Sequence, residues 1–207
     1  MKRFLVACVL LTVCSSGLAS EKWLRSFFTN VDTLQASFSQ RVTDETGMTL
    51  DSTSGTFYLS RPGRFRWDYK SFDPDFPQGQ QIVSDGKLIT FYEPDLETAT
   101  QRSFSDAVEQ VPTMVLMQSG GDLDKHFQIR DYGVTDGLSW VALNPKDSEA
   151  GYRELMIGFF GERLHTIVLT DGLGNETRLT LTNVKSNPKI ESKVFSFNPP
   201  EGVDIVR

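Results

Sequence analysis

Residues 53 to 69 read Thr53-Ser54-Gly55-Thr56-Phe57-Tyr58-Leu59-Ser60-Arg61-Pro62-Gly63-Arg64-Phe65-Arg66-Trp67-Asp68-Tyr69, and the fold is decided here. Thr53 to Ser60 is rich in Thr, Phe and Tyr, side chains that suit a pleated, half-buried strand. From Arg64 onward Phe65, Trp67 and Tyr69 alternate with Arg64, Arg66 and Asp68, so apolar rings fall on one face of an extended chain and charges on the other.

The same period of two extends outward in both directions. Leu34, Ala36, Phe38, Gln40 and Val42 alternate with Gln35, Ser37, Ser39 and Arg41. Before them Trp23, Leu24, Phe27, Phe28 and Val31 follow helical spacing, predicting a short amphipathic helix from Glu21 to about Val31. Beyond the opening stretch, Gln80 to Val83 and Lys87 to Tyr92 flank Ser84-Asp85-Gly86, where Asp-Gly signals a hairpin. Ser105 to Gln118 reads as a helix with Ser105 as N-cap, Gly120-Gly121 as stop and Pro112 as the site of a kink. Strands resume at Phe127–Tyr132, Leu138–Leu143, Arg153–Phe160, Leu164–Thr170, Glu176–Val184 and Lys193–Phe197. Ten or eleven closely spaced strands, with no linker, a helix ahead of them and a broken helix in the middle, predict one curved antiparallel sheet or open barrel with helices on one face.

The first 19 residues have the layout of a secretory signal: Lys2 and Arg3, an apolar run from Phe4 to Val13, then Gly17-Leu18-Ala19. Residues 1–19 are therefore expected to be cleaved, leaving a single domain over 20–207. Of 207 residues this leaves 188, and since two of the 21 basic but none of the 27 acidic residues are lost, the net charge moves from −6 to −8. Both cysteines, Cys8 and Cys14, leave with the signal. The remaining chain has no thiol for a disulfide scaffold, an iron–sulfur cluster, a Cys-ligated zinc or a cysteine nucleophile. Leu5-Val6-Ala7-Cys8 imitates a lipoprotein signature, but only Phe4 to Ala7 precede the cysteine, against the roughly 7–15 apolar residues a signal requires. An acidic chain is a poor partner for nucleic acid, and no second apolar run approaches the roughly 20 residues that span a bilayer.

The search for reactive groups returns little. His126 and His165 are the only histidines and lie in no HExxH pairing; Gly137-Leu138-Ser139-Trp140-Val141 lacks the second glycine of a nucleophile elbow. Asp73-Pro74-Asp75, Asp122-Leu123-Asp124 and Asp171 to Glu176 lack the ligand spacing of a calcium loop. No cofactor, metal or catalytic residue is expected, and no enzymatic reaction. What abounds is aromatic surface: 14 of the 15 Phe, with five Tyr and three Trp, remain after the signal. In a curved sheet covered by helices such rings have two destinations, a packed core or the wall of a cavity for a long apolar ligand.

Taken in order, several runs resemble the LolA family of periplasmic outer-membrane lipoprotein carriers. They are Ala36-Ser37-Phe38-Ser39-Gln40, Ser54 to Trp67, Gln81-Ile82-Val83-Ser84-Asp85-Gly86-Lys87, Phe91 to Ala99, and Phe195-Ser196-Phe197-Asn198-Pro199-Pro200-Glu201-Gly202-Val203. No single motif is decisive, but the ordered set spans nearly the whole chain after the signal. The resemblance implies an unclosed antiparallel barrel with a lid of α-helices. It further implies a soluble monomer that takes triacylated lipoproteins from an inner-membrane ATP-binding-cassette exporter and delivers them to an outer-membrane receptor.

By residue type and position alone Arg61 reads as a solvated rim arginine, since most arginines are exposed. The resemblance instead matches it to the family's arginine at the barrel–lid boundary, where its five donors would satisfy carbonyls at a helix end and hold the lid shut. Phe57, Leu59, Phe65, Trp67, Ile82 and Phe91 are candidates for the cavity wall. Trp23, Phe27, Val108, Val111, Met114, Val115 and Met117 are candidates for the lid. The chain departs from the family pattern in Arg64 and Arg66 and in a long loop from Lys70 to Gly79. Arg61, Arg64 and Arg66 together read either as a basic patch for an acidic partner or as a solvated strand face. Alternative readings are an outer-membrane receptor of the same fold, a generic carrier or sensor of hydrophobic ligands, and, with least support, a secreted hydrolase.

Overall fold

The computed structural model describes residues 19–74, 79–107, 116, 123–147 and 150–207. Helix α1 (Ala19–Asn30) precedes strands β1 (Thr33–Thr43), β2 (Thr49–Ser60), β3 (Arg64–Tyr69), β4 (Gln81–Asp85), β5 (Leu88–Glu93) and β6 (Thr98–Ser103). The short helices α2 (Phe104–Ala107) and α3 (Leu123–His126) flank the middle segment. Strands β7 (Phe127–Thr135), β8 (Leu138–Pro145), β9 (Tyr152–Phe160), β10 (Arg163–Asp171) and β11 (Glu176–Ser186) follow, and β12 (Asp204–Val206) ends the chain.

All twelve strands join one sheet in the order β12-β6-β5-β4-β3-β2-β1-β11-β10-β9-β8-β7. Neighbours run antiparallel except β12, which lies parallel to β6. The ends of the sheet, β12 and β7, do not pair, so of the curved sheet or open barrel that the alternation predicts this is the unclosed barrel, the form the resemblance implies. Its seam is β1 against β11, from Leu34 opposite Ser186 to Thr43 opposite Glu176.

Two strands escape the sequence pattern and one prediction fails. β6 reads Thr-Ala-Thr-Gln-Arg-Ser, where only Ala99 is buried, so no apolar alternation marks it. β12 is three exposed residues placed by backbone pairing alone. Lys193–Phe197, expected as a strand, instead contains a 3-10 turn over Ser192–Phe195. Phe195 is buried and Phe197 packs beside Tyr92, ring centres 5.3 Å apart and tilted at 45°; the rings alternate because this segment lies as a strap across the sheet's outer surface, not because it pairs within it.

The inner face carries the core. Leu34, Ala36 and Phe38 of β1, Phe57 and Leu59 of β2, and Phe65 and Trp67 of β3 form one buried cluster with Val141, Leu143, Leu155, Ile157, Phe159, Leu179 and Leu181 from the far half of the sheet. α1 presses Leu24, Phe27 and Phe28 into it, packing on β7 to β10. Gly55 makes an aromatic nest possible: a methyl group there would lie 2.8 Å from the Phe38 ring and collide with the Asp68 carbonyl. In the space it leaves, Phe38 sits 4.9 Å from Trp67 and 5.3 Å from Tyr69, and Phe57 stacks on Trp67 at 4.2 Å. Such pairs add roughly 0.5–1.5 kcal/mol each beyond their buried area.

Candidate functional site at the Arg61 end of the barrel

Strand register decides which side chains share a face. Phe57 lies opposite Trp67, Trp67 opposite Ile82 and Ile82 opposite Phe91. One step along, Leu34 lies opposite Leu59 and Leu59 opposite Phe65. Phe57, Leu59, Phe65, Trp67, Ile82 and Phe91 thus fall on a single inner wall; the first four are buried, while Ile82 and Phe91 are half-buried against them.

Arg61 stands where this wall meets α1. As the last turn of a helix closes, its final carbonyls have no partner within the helix. Arg61 supplies a donor there: Nη1 donates to the Val31 carbonyl, one residue past α1, and at 3.4 Å adds a second donor to the Phe27 carbonyl, which also accepts from the Val31 amide. Nε and Nη2 donate to the Leu116 carbonyl at 3.2 and 2.9 Å. The guanidinium also lies over the rings of Phe27 and Phe28, 4.9 and 5.1 Å from their centres. One planar cation therefore ties the sheet, through the end of β2, to the end of α1 and to the middle segment. Burial of the guanidinium pushes its pKa down to about 10, with the carboxylate of Asp32 opposing the shift; Arg61 remains charged at neutral pH.

Three further contacts tether the helices. Asn187, at φ 55, accepts from the Asp32 amide at 2.9 Å and donates to the Asn30 carbonyl at 2.8 Å. Arg25 grips both oxygens of Asp124 in α3 at 2.8 and 3.0 Å while holding Glu21. Ser20 donates to Asp131 of β7 at 3.1 Å. Sequence reasoning missed all three; the turn-forming pair Asn187-Pro188 was the one available signal.

Of the lid candidates, Phe27 is buried beneath Arg61 and Trp23 is half-buried against the core. Val108, Val111, Met114, Val115 and Met117 lie outside the described residues. Arg61, Arg64 and Arg66 do not form one patch. Alternation along β3 turns Arg64 and Arg66 to the outer surface, where they hold the C-terminal strap. Arg64 lies over the Phe195 ring at 5.6 Å and donates to Ser60; Arg66 pairs with Asp68 at 2.8 Å and donates to the Val194 carbonyl at 3.3 Å.

Of the two histidines, His165 places Nδ1 2.8 Å from the Thr166 hydroxyl, its neighbour in β10. Among the described residues no group of three or more His, Cys, Asp or Glu is disposed to hold a metal ion, and no helix is long and apolar enough to cross a membrane. The arrangement is an apolar wall packed against Leu24, Phe27 and Phe28 of α1, with one cation bonded to backbone carbonyls at its edge.

The family model for outer membrane lipoprotein carrier protein LolA matches residues 29–198. The chain belongs to the LolA family. An outer-membrane lipoprotein carrier protein of Methylococcus capsulatus is 40% identical over 182 residues, 88% of this chain and 85% of the relative. One from Dechloromonas aromatica is 34% identical over 183 residues, 88% and 85% of the two chains. The fold also matches solved structures: an uncharacterized conserved protein from Thermus thermophilus (TM-score 0.55, 14% identity, 90% of this chain and 98% of that one) and a LolA superfamily protein from Nitrosomonas europaea (TM-score 0.50, 14% identity, 87% and 98%). The LolA model ends at residue 198, so it takes in the Phe195 and Phe197 rings of the strap but not β12.

Proposed function

We propose that this protein is a periplasmic carrier that accepts triacylated lipoproteins from an inner-membrane ATP-binding-cassette exporter, shields their acyl chains and delivers them to an outer-membrane receptor. In this reading residues 1–19 direct export and are removed, and the remainder is a single carrier domain acting as a transport chaperone, without catalysis.

The need is physical. At about 0.8 kcal/mol per methylene, exposing a sixteen-carbon chain to water costs on the order of 12 kcal/mol, and a lipoprotein anchor bears more than one. A carrier must cover those chains and still let them go, which calls for two states of similar free energy.

The observation that carries the reading is the Arg61 clasp. Val31, Phe27 and Leu116 offer backbone carbonyls to one guanidinium above a wall of Phe57, Leu59, Phe65, Trp67, Ile82 and Phe91. In the closed state α1 fills the space with Leu24, Phe27 and Phe28; cargo entry displaces them and releases Arg61 from the carbonyls. Family membership, with relatives named as outer-membrane lipoprotein carriers, supports this choice over a generic binder of hydrophobic ligands.

Native mass spectrometry of protein purified from its own periplasm tests it. A bound triacylated polypeptide is expected; a bound free lipid with no polypeptide refutes lipoprotein carriage. Arg61→Leu is expected to load cargo and hand it on poorly, and release to the receptor at the parent rate would refute the latch.

A further inference from the structure

Away from the Arg61 end, the outer face of the β2-β1-β11 seam holds a feature that apolar cargo does not explain. Arg41 of β1 lies directly opposite Arg178 of β11, and on its other side opposite Ser52 of β2. Ser39, next along the same face, lies opposite Thr180. Ser39, Arg41, Ser52, Arg178 and Thr180, with Gln40 beneath, line a pocket of about 240 Å³.

Like charges placed directly opposite across two strands repel and destabilise the pair. Elsewhere this protein gives its arginines partners: Glu21 and Asp124 for Arg25, carbonyls for Arg61, Asp68 for Arg66. Arg41 and Arg178 have no such contact among the described residues. Glu176, the nearest carboxylate on this face of β11, lies opposite Thr43, one pair further along, and forms no ion pair with either arginine. Two exposed guanidiniums therefore converge, with three hydroxyl groups, on a concave space without a carboxylate in its lining.

We propose that this pocket binds a phosphate-class oxyanion, a phosphate group carried by a lipid headgroup or by a small soluble phosphate ester. The donor set fits that chemistry. Guanidinium forks pair with two oxygens of a tetrahedral anion, and the hydroxyls of Ser39, Ser52 and Thr180 reach the others. The bound anion removes the repulsion that the seam otherwise carries. A carboxylate, planar and with two oxygens, leaves part of this set unused. The site lies on the outer surface, independent of the clasp and of any cargo inside.

Titration with inorganic phosphate, followed by amide NMR at constant ionic strength, is expected to give saturable shifts at Ser39, Arg41, Arg178 and Thr180 with a low-millimolar Kd. Arg41→Gln and Arg178→Gln should each weaken binding at least tenfold. Both residues are exposed, and the variants should melt no lower than the parent, with phosphate raising the Tm of the parent alone. Equal shifts with acetate, or phosphate shifts unchanged in both variants, would overturn the proposal. Cosedimentation with phosphatidylethanolamine vesicles identifies the source: binding lost in the two variants marks a lipid headgroup, and phosphate saturation without vesicle binding marks a soluble ester.

Discussion

Replacing Arg61 by Leu should open the lid, and the structure sets the size of the effect. Three carbonyls accept from the guanidinium; at roughly 1.5 kcal/mol for each acceptor of a charged donor they contribute about 4.5 kcal/mol to the closed state. Burial opposes them. A pKa pushed down to about 10 corresponds to a net of about 3 kcal/mol, lost solvation less the attraction of Asp32, reduced to about 2 because the half-buried side chain keeps some water. On the proposed latch reading the clasp favours closure by a net of about 2.5 kcal/mol, roughly a seventy-fold bias, a size that would hold an empty carrier shut and that entering acyl chains could reverse. The Val31 amide, bonded to the Phe27 carbonyl at 3.1 Å, reports on this state. Its hydrogen exchange should be about seventy-fold faster in Arg61→Leu, and an apolar dye should bind the variant more tightly. Arg61→Lys, with one compact ammonium in place of a fork, should lie between. Exchange within threefold of the parent, in a variant that melts normally, would refute the reasoning.

Gly55→Ala drives a methyl group into the Phe38 ring and the Asp68 backbone, and should cost about 2–3 kcal/mol in urea unfolding by overpacking. Asn187→Ala removes an acceptor from the Asp32 amide and a donor from the Asn30 carbonyl; a loss of about 1–2 kcal/mol is expected, with faster exchange confined to the end of α1. The Arg25 guanidinium holds the Asp124 carboxyl below its ordinary value. A carboxylate lowered by folding stabilises the protein above its unfolded pKa of about 4 and loses that contribution as pH falls through the folded value. Asp124→Asn should therefore melt below the parent at neutral pH, and the gap should close on acidification below about pH 4.

The sheet was legible wherever one face is apolar and the other polar. Phe65, Trp67 and Tyr69 against Arg64, Arg66 and Asp68 announce β3, and the register then assigns Ile82 and Phe91 to the same wall. β6 was not legible because its place depends on backbone bonds to β5 and β12, which leave no mark on Thr98-Ala99-Thr100. Phe195 and Phe197 misled because period two describes any extended segment lying on a surface as well as a paired strand. The clasp was half legible: the resemblance pointed to Arg61, but its acceptors are main-chain carbonyls of Phe27, Val31 and Leu116, which any residue type supplies. Asn187 and Asp124 act across more than ninety residues of sequence, and nothing local encodes such pairings.

The β1–β11 seam places Thr43 beside Glu176 and Leu34 beside Ser186, strands more than 130 positions apart. Pairings this distant form slowly, because a long loop must close before any contact rewards it. Until β11 is available, β1 lacks one of its two neighbours and the halves of the wall have no join. The near half of the sheet therefore waits on the far end of the chain for its last partner, and β1 meanwhile presents an open strand edge.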